Sequence, residues 1–328
     1  MCGIAGELRF RSGKSPADWE EISNLMRRRG PDDDGQWHDE HCSMVFRRLA
    51  ILDLSARGHQ PMVDPSGRYT LVFNGEIYNF RELRADLEKR GEVFRSSGDT
   101  EVLLRALMVW DIAALKRLNG IFALAFYDSF DKTLLLARDH AGIKPLYFMQ
   151  DKRGIVFGSQ FNQILRHPWS RDHDIDDGSL SLYLRHGYVP APHAMLSQTS
   201  MLDPGCWIRF SVHQKPQVGT QWSYPYPCEP TLTGEEALDA VDSAIREAVD
   251  RQMVSDVPVG AFLSGGIDSP LVVAKMLESG HSRIRTFTIA TDNASSDESD
   301  DARRYAAELG VEQVVERITA EQALALLP

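Results

Sequence analysis

At 328 residues, with 43% hydrophobic and 25% charged side chains, the chain has the length of about two packed domains and the composition of a soluble globular protein. Its 36 Lys and Arg against 47 Asp and Glu give a formal net charge of -11, and its longest basic cluster is Arg27-Arg28-Arg29. Neither nucleic acid nor an anionic membrane surface is therefore expected as a partner.

Met1-Cys2-Gly3-Ile4 puts a cysteine where removal of the initiator Met makes it the amino terminus. Such a residue carries a nucleophilic thiol together with an α-amine of pKa about 7.7–8.0 that can accept the thiol proton. Gly3 is expected to leave room for backbone close to the sulfur, and Ile4-Ala5-Gly6 to open a buried strand. The plain alternative is a structural Cys in that strand. Glu7, Arg9 and Arg11 interrupt any signal-peptide core, and the longest apolar run, Ile121 to Tyr127, is too short to span a bilayer. Cys2, Cys42, Cys206 and Cys228 form no CxxC pair and no ligand spacing with the ten histidines. Neither a disulfide framework nor a zinc site is expected, and a reducing cytoplasm is the natural compartment.

Up to about residue 190, short apolar runs bounded by Gly, Asp and Asn predict strands at 69–73, 121–127, 133–137 and 154–157. Helical periodicity predicts helices over Asp18 to Arg29, Phe80 to Arg90 and Thr100 to Trp110. An α+β domain over 1–190, with mostly antiparallel strands, is the simplest reading. Residues 191–232 read as closing strands and a linker ending in Tyr224-Pro-Tyr-Pro-Cys-Glu-Pro230. Over 233–328 strand and helix then alternate: helix Glu235 to Met253, strand Val257 to Leu263, helix Pro270 to Glu278, strand Ile284 to Ile289, helix Glu298 to Leu309, strand Gln313 to Ile318. That order predicts a parallel α/β sheet. The acidic run Ser295 to Asp301 reads as a solvated loop.

Behind Cys2, five segments follow in order: Arg28-Arg-Gly-Pro-Asp-Asp33, Arg47-Arg-Leu-Ala-Ile-Leu52, Asn74-Gly-Glu-Ile-Tyr-Asn79, Gly98-Asp-Thr-Glu101 and Arg138-Asp-His-Ala-Gly-Ile-Lys-Pro-Leu-Tyr147. Alone, Asn74-Gly75 is a common hairpin turn and Gly98-Asp99 an ordinary helix start. Together with the terminus these segments resemble the glutamine amidotransferase domain of asparagine synthetases, members of the N-terminal nucleophile hydrolases. Ser264-Gly-Gly-Ile-Asp-Ser269 resembles the pyrophosphate loop of that family's second domain; it lacks the Gly-Lys-Ser/Thr ending of a P-loop.

The resemblance implies a layered αββα sandwich of antiparallel sheets followed by the start of an ATP-pyrophosphatase domain. It implies hydrolysis of glutamine at Cys2 to glutamate and ammonia, and ATP-dependent amidation of aspartate to asparagine with release of AMP and pyrophosphate. In that scheme Asn74 and Gly75 form the oxyanion hole, and Arg48 forks onto the substrate α-carboxylate. Asp99, with Glu76 nearby, takes the α-ammonium, while Leu49, Ala50, Ile51 and Leu52 line the pocket. Leu263, Ser264, Gly265, Gly266, Asp268, Ser269 and Ile289 would hold ATP, with Asp268 near Mg2+; no metal-ligand set is implied. A homodimer is an arrangement the resemblance allows.

Two departures matter. Ser159-Gln160-Phe161-Asn162 stands where the family usually has Ser-Glu followed by a Lys two residues on, and no SGEGxDE motif occurs in these residues. Glutamine hydrolysis is therefore expected of this stretch of sequence, but not asparagine synthesis by it alone. An amidotransferase of the same build acting on another carboxylate, a sugar acid or a peptide, stays open, as does a non-catalytic nucleotide-binding chain.

Overall fold

The computed structural model describes residues 1–223, 231–280, 283–293 and 297–326. Two compact units divide the chain, Met1–Pro225 and Tyr226–Pro328. The proline-rich linker, Cys228 and the start of the acidic run lie outside the described residues.

The first unit runs β1 (Gly3–Arg9), α1 (Trp19–Asn24), β2 (Asp33–His38), β3 (Cys42–Arg48), β4 (Met62–Val63), β5 (Tyr69–Ile77), α2 (Phe80–Glu88) and α3 (Asp99–Trp110). It continues through β6 (Gly120–Asp128), β7 (Thr133–Arg138), β8 (Tyr147–Asp151), β9 (Gly154–Gly158), α4 (Phe161–Arg166), α5 (Asp177–His186), β10 (Thr199–Met201), β11 (Cys206–Ser211) and β12 (Gln217–Thr220). The strands form two antiparallel sheets, ordered β10-β8-β9-β1-β3-β2 and β12-β11-β7-β6-β5-β4. Ile4, Phe46 and Phe157 of the first meet Val72, Ala125, Leu136 and Phe210 of the second in one fully buried core.

Helical residues cover the outer faces. Ile22 of α1 and Met26 just beyond it pack on Ala5 and Val45, and α3 buries Val102, Leu103, Ala106 and Leu107 on the side of β5. This is the αββα layering expected of N-terminal nucleophile hydrolases. A central strand covered on both faces has no reason to alternate, and β1 is buried at every position.

Two local readings change. The helix expected over Asp18 to Arg29 is held at its start by the Asp18 carboxylate, which accepts from the Glu20 and Glu21 N–H groups, but it stops at Asn24; tight turns follow, with Arg29 N–H on the Met26 carbonyl. The strand expected over 69–73 runs on to Ile77, so Asn74-Gly75 is not a hairpin turn but strand interior.

The second unit runs α6 (Gly234–Gln252), β13 (Gly260–Phe262), α7 (Asp268–Glu278), β14 (Arg285–Thr291), α8 (Ser299–Leu309), β15 (Glu312–Ile318) and α9 (Ala320–Ala325), with β13-β14-β15 parallel as expected. The first strand is shorter than predicted, because Pro258 has no N–H to give a ladder. Leu263, Val273, Met276, Ala302 and Ala306 close a core on one face of the sheet, while Phe262, Phe287, Ile289 and Val314 are exposed. Among the described residues no helix is long and apolar enough to cross a membrane.

Candidate active site

The pairing of β1 with β3 sets Gly3 opposite Arg47 and brings Cys2 to the loop that follows β3. Leu49 N–H approaches the Cys2 sulfur at 3.4 Å, and the thiol points back at the Leu49 carbonyl at 3.6 Å. The turn after α1 closes on the terminus from the other side. Arg29 Nε donates to the Cys2 carbonyl at 3.0 Å, and the Met1 ammonium donates to the Arg29 carbonyl at 3.1 Å. Gly3 has a different role from the one expected. A Cβ there would stand 2.6 Å from Met26 Sδ, so the glycine makes room for a packed side chain rather than for backbone near the sulfur.

Burial pushes the Cys2 thiol up, and the Leu49 N–H acts against it. Burial also lowers the terminal amine, and the Arg29 and Lys144 charges add to that lowering. The lowering makes the neutral form a larger fraction of the Met1 amine near neutral pH than at an ordinary terminus.

β5 contributes three consecutive residues. Asn74 is 1% exposed and its Nδ2 has no hydrogen-bond partner, an unusual state for a buried amide. Phe73 N–H is taken by Gln60 Oε1 at 2.6 Å and Ile77 N–H by Asp99 Oδ2 at 2.9 Å. N–H groups two apart on a strand face the same edge, so Gly75 N–H points between them, away from β6. A Cβ at Gly75 would lie 2.1 Å from the Ile121 carbonyl, so the close approach of β6 demands the glycine.

Glu76 follows. Burial first, then the nearby Asp99 carboxylate, push it up to about 8. Asp99 is likewise raised by burial, to about 6, against the hydrogen bond from Ile77. Asp99 does not cap α3: Gly98 occupies the cap position, and the Asp99 carboxylate serves the β5 backbone instead. The two acids repel each other, the Lys144 and Arg48 charges offset this only in part at Glu76, and an ammonium group would relieve both.

Arg48 is buried, with Nη1 on the Ser55 carbonyl at 3.2 Å and Nη2 on the Leu52 and Asp53 carbonyls at 3.0 and 2.5 Å. Three of its five N–H groups thus hold the loop that carries Leu49, Ala50, Ile51 and Leu52. Gly58 accommodates this fork, since a Cβ there would stand 2.0 Å from Arg48 Nη2. Ala50 N–H is fixed by Asp32 Oδ2 at 2.8 Å. Arg29 and Lys144 were not singled out from the sequence. Both lie inside matched motifs, and only three-dimensional proximity to Cys2 distinguishes them from ordinary basic residues.

In the second unit the loop 264–269 joins β13 to α7, whose first residue is Asp268 and whose first turn accommodates Pro270. Ser264 N–H donates to Ser269 Oγ at 2.9 Å, Gly266 N–H to Ser264 Oγ at 3.3 Å, and Gly265 N–H to Glu298 Oε2 at 3.0 Å. The loop therefore already holds one anionic oxygen, donor chemistry that suits a phosphate. Leu263 and Ile289 do not share a surface: Leu263 is 2% exposed within the core, whereas Ile289 is 48% exposed and alternates with buried Thr288 and Ala290. Among the described residues no cluster of His, Cys, Asp and Glu could hold a metal by itself.

Stacked antiparallel sheets with a cysteine at the head of a central strand define the N-terminal nucleophile hydrolase class. Residues 1–222 match the glutamine amidotransferase domain family, to which the chain belongs, and residues 240–328 match the asparagine synthase family. Its build is of the asparagine synthetase type. It is 35% identical over 333 residues to the glutamine-hydrolyzing asparagine synthetase 1 of Bacillus subtilis, covering 100% of this chain and 52% of that one. It is 31% identical over 310 residues to a putative glutamine-hydrolyzing asparagine synthetase 2 of Methanocaldococcus jannaschii, covering 88% of this chain and 59% of that one. The chain thus spans about half the length of these relatives. The glutamine phosphoribosylpyrophosphate amidotransferase of B. subtilis superposes with a TM-score of 0.49 at 12% identity, over 96% of this chain and 65% of that one.

Proposed function

We propose that the first unit hydrolyses glutamine and that the ammonia serves an ATP-dependent amidation of aspartate to asparagine in the cytoplasm. Removal of Met1 transfers the terminal amine to Cys2. The thiol then attacks the glutamine carboxamide carbon while the α-amine takes its proton. Asn74 Nδ2 and Gly75 N–H receive the developing oxyanion, and its collapse expels ammonia with the proton the amine held. Water, deprotonated by the same amine, releases glutamate from the thioester. Glu76 and Asp99 neutralise the substrate α-ammonium, and the two N–H groups of Arg48 not used on the loop are available to the α-carboxylate.

ATP at residues 264–269 would activate the acceptor carboxylate by adenylation, with its pyrophosphate oxygens in place of the Glu298 oxygen and magnesium accompanying them near Asp268. The observation that carries the glutaminase reading is the sequence of groups along β5: an amide donor with no partner, a glycine N–H at the free edge, and a carboxyl raised beside a second acid.

The test is glutamate release from glutamine by three chains: processed, Cys2→Ala, and one with Met1 retained. The processed chain alone should be active. Activity in the Cys2→Ala chain, or equal rates with Met1 retained, would remove Cys2 or its amine from the mechanism.

A further inference from the structure

The groups expected to take the two ends of a free amino acid, Arg48 and Asp99, lie on separate stretches of chain: one closes β3, the other opens α3. Each stretch is tied to its own surroundings. Arg48 donates to the Leu52, Asp53 and Ser55 carbonyls of the loop that follows it. On the other side the buried Glu101 carboxylate accepts from the N–H groups of Arg95 and Ser96 at 2.9 and 2.7 Å, and Asp99 accepts from Ile77 N–H of β5 at 2.9 Å.

Asp53 joins the two. Its backbone is left-handed, with φ of 50°, a conformation that residues other than glycine rarely adopt and that Asp tolerates better than most. One residue thereby faces two ways. The Asp53 carbonyl accepts from Arg48 Nη2, while the buried carboxylate accepts from the Ser55 N–H and hydroxyl on Oδ1 and from Ser97 N–H on Oδ2 at 2.8 Å. The stretches are pressed together at this point, since a Cβ on Gly98 would stand 3.2 Å from Asp53 Cβ. Arg57 adds an exposed link, from Nη1 to the Arg95 carbonyl at 2.9 Å. Burial works against the Asp53 charge, but the hydrogen bonds from Ser55 and Ser97 outweigh it and hold the carboxyl below its usual range. The backbone N–H groups of Ser55 and Ser97 meet different oxygens, and a carboxamide in this place would have one acceptor oxygen for both.

We propose that Asp53 is a positioning residue that latches the loop of Arg48 to the segment of Asp99 and so fixes the spacing of the groups that take the α-carboxylate and the α-ammonium. This rests on the glutamine reading of the site. The contacts run unbroken from one group to the other: Arg48 to the Asp53 carbonyl, the Asp53 carboxylate to Ser97, Ser97 through Gly98 to Asp99, and Asp99 to β5 beside Glu76. The α-groups of glutamine keep their charges while its carboxamide reacts, so what the latch secures is gained equally in the ground state and the transition state. Its loss weakens binding and spares turnover.

The experiment compares the processed full chain with Asp53→Asn and Asp53→Gly. Both substitutes accept the left-handed backbone, and neither offers two acceptor oxygens. Each should raise KM for glutamine about tenfold with kcat within about twofold of wild type. Hydrogen exchange, read by mass, should be faster over both 49–58 and 95–99 in each variant, with β1 and β3 exchanging as in wild type. Two variants are used so that one remains if the other does not fold.

A KM within about twofold of wild type in the folded variants would overturn the proposal. So would a fall in kcat at constant KM, or faster exchange confined to 49–58, since the carboxylate would then serve only its own loop. A wild-type chain that releases no glutamate, while exchange is still faster over both segments in the variants, refutes the glutaminase reading and upholds the latch.

Discussion

Asn74→Ala separates a catalytic donor from a structural one, because the two roles change activity and stability differently. An ordinary buried amide satisfies its donors within the fold, and truncating it costs about 1–3 kcal/mol through the partners left unpaired. Asn74 Nδ2 has no such partner, so the folded protein already bears the cost of desolvating it. Removing the amide eliminates that cost and leaves a small void of a few atoms; the two terms oppose each other, and the net change should fall within about 1 kcal/mol. In a unit of this size that is a displacement of about 2–4 °C in melting temperature, of either sign.

In the proposed mechanism the same donor would meet an oxyanion in the transition state. Its loss should cost about 3–4 kcal/mol, or roughly 100- to 1,000-fold in kcat for glutamine hydrolysis. The assay pairs glutamate release at saturating glutamine with calorimetric melting. Unchanged turnover would refute the oxyanion role. A large fall in both turnover and stability would show that the amide supports the fold and that its apparent isolation is not a functional feature.

If the Glu76–Asp99 pair receives the α-ammonium as proposed, glutamine affinity should be pH-dependent. Below about pH 6 much of the pair is protonated and cannot receive an ammonium; as pH rises toward about 8 the carboxylates form, so KM should fall roughly tenfold across that interval, and Glu76→Gln should flatten the profile. Stability has the opposite trend. A carboxyl raised in the folded state binds more protons there than in the unfolded chain, so stability falls as pH climbs from the ordinary carboxylate range through about 8, and glutamine should restore it. Melting the protein at pH 6 and pH 8, with and without glutamine, checks the sign. In the second unit, Glu298→Ala frees Gly265 N–H and removes a charge, so ATP should bind about three- to tenfold more tightly by calorimetry. Weaker binding would mean that Glu298 assists the nucleotide rather than competing with it.

The strand and helix order of the second unit was legible, as were β5, β6, β7, β9, α2 and α3 of the first, because hydrophobic periodicity reports burial; β2, β3, β4, β8, α4 and α5 were not predicted. The local misreadings occur where a distant group overrides a local preference. Asn74-Gly75 favours a turn on its own; it is strand because β6 lies directly against it, at a distance only glycine permits. Gly98-Asp99 looks like a helix cap, yet the carboxylate is drawn to an unpaired N–H of β5. Arg48 was singled out from its motif, but not the commitment of three of its donors to the carbonyls of its own loop.

These misses have a common physical origin, and it bears on how the site works. A desolvated thiol, a buried amide donor without a partner and two repelling acids are each unfavourable in the free protein, and each is a property of environment rather than of residue type. Local sequence rules describe favourable local choices, so they are silent about groups held in unfavourable states by the rest of the fold. In the proposed function one small molecule would relieve most of them together: an α-ammonium between Glu76 and Asp99, and a carboxamide oxygen on Asn74 that would gain charge as the thiol attacked. The strain at the acids is relieved on binding, whereas the amide donor is fully used only when the oxyanion forms. On the proposed function, binding would draw on Glu76 in the ground state and catalysis on Asn74 in the transition state, and mutations at the two should separate KM from kcat.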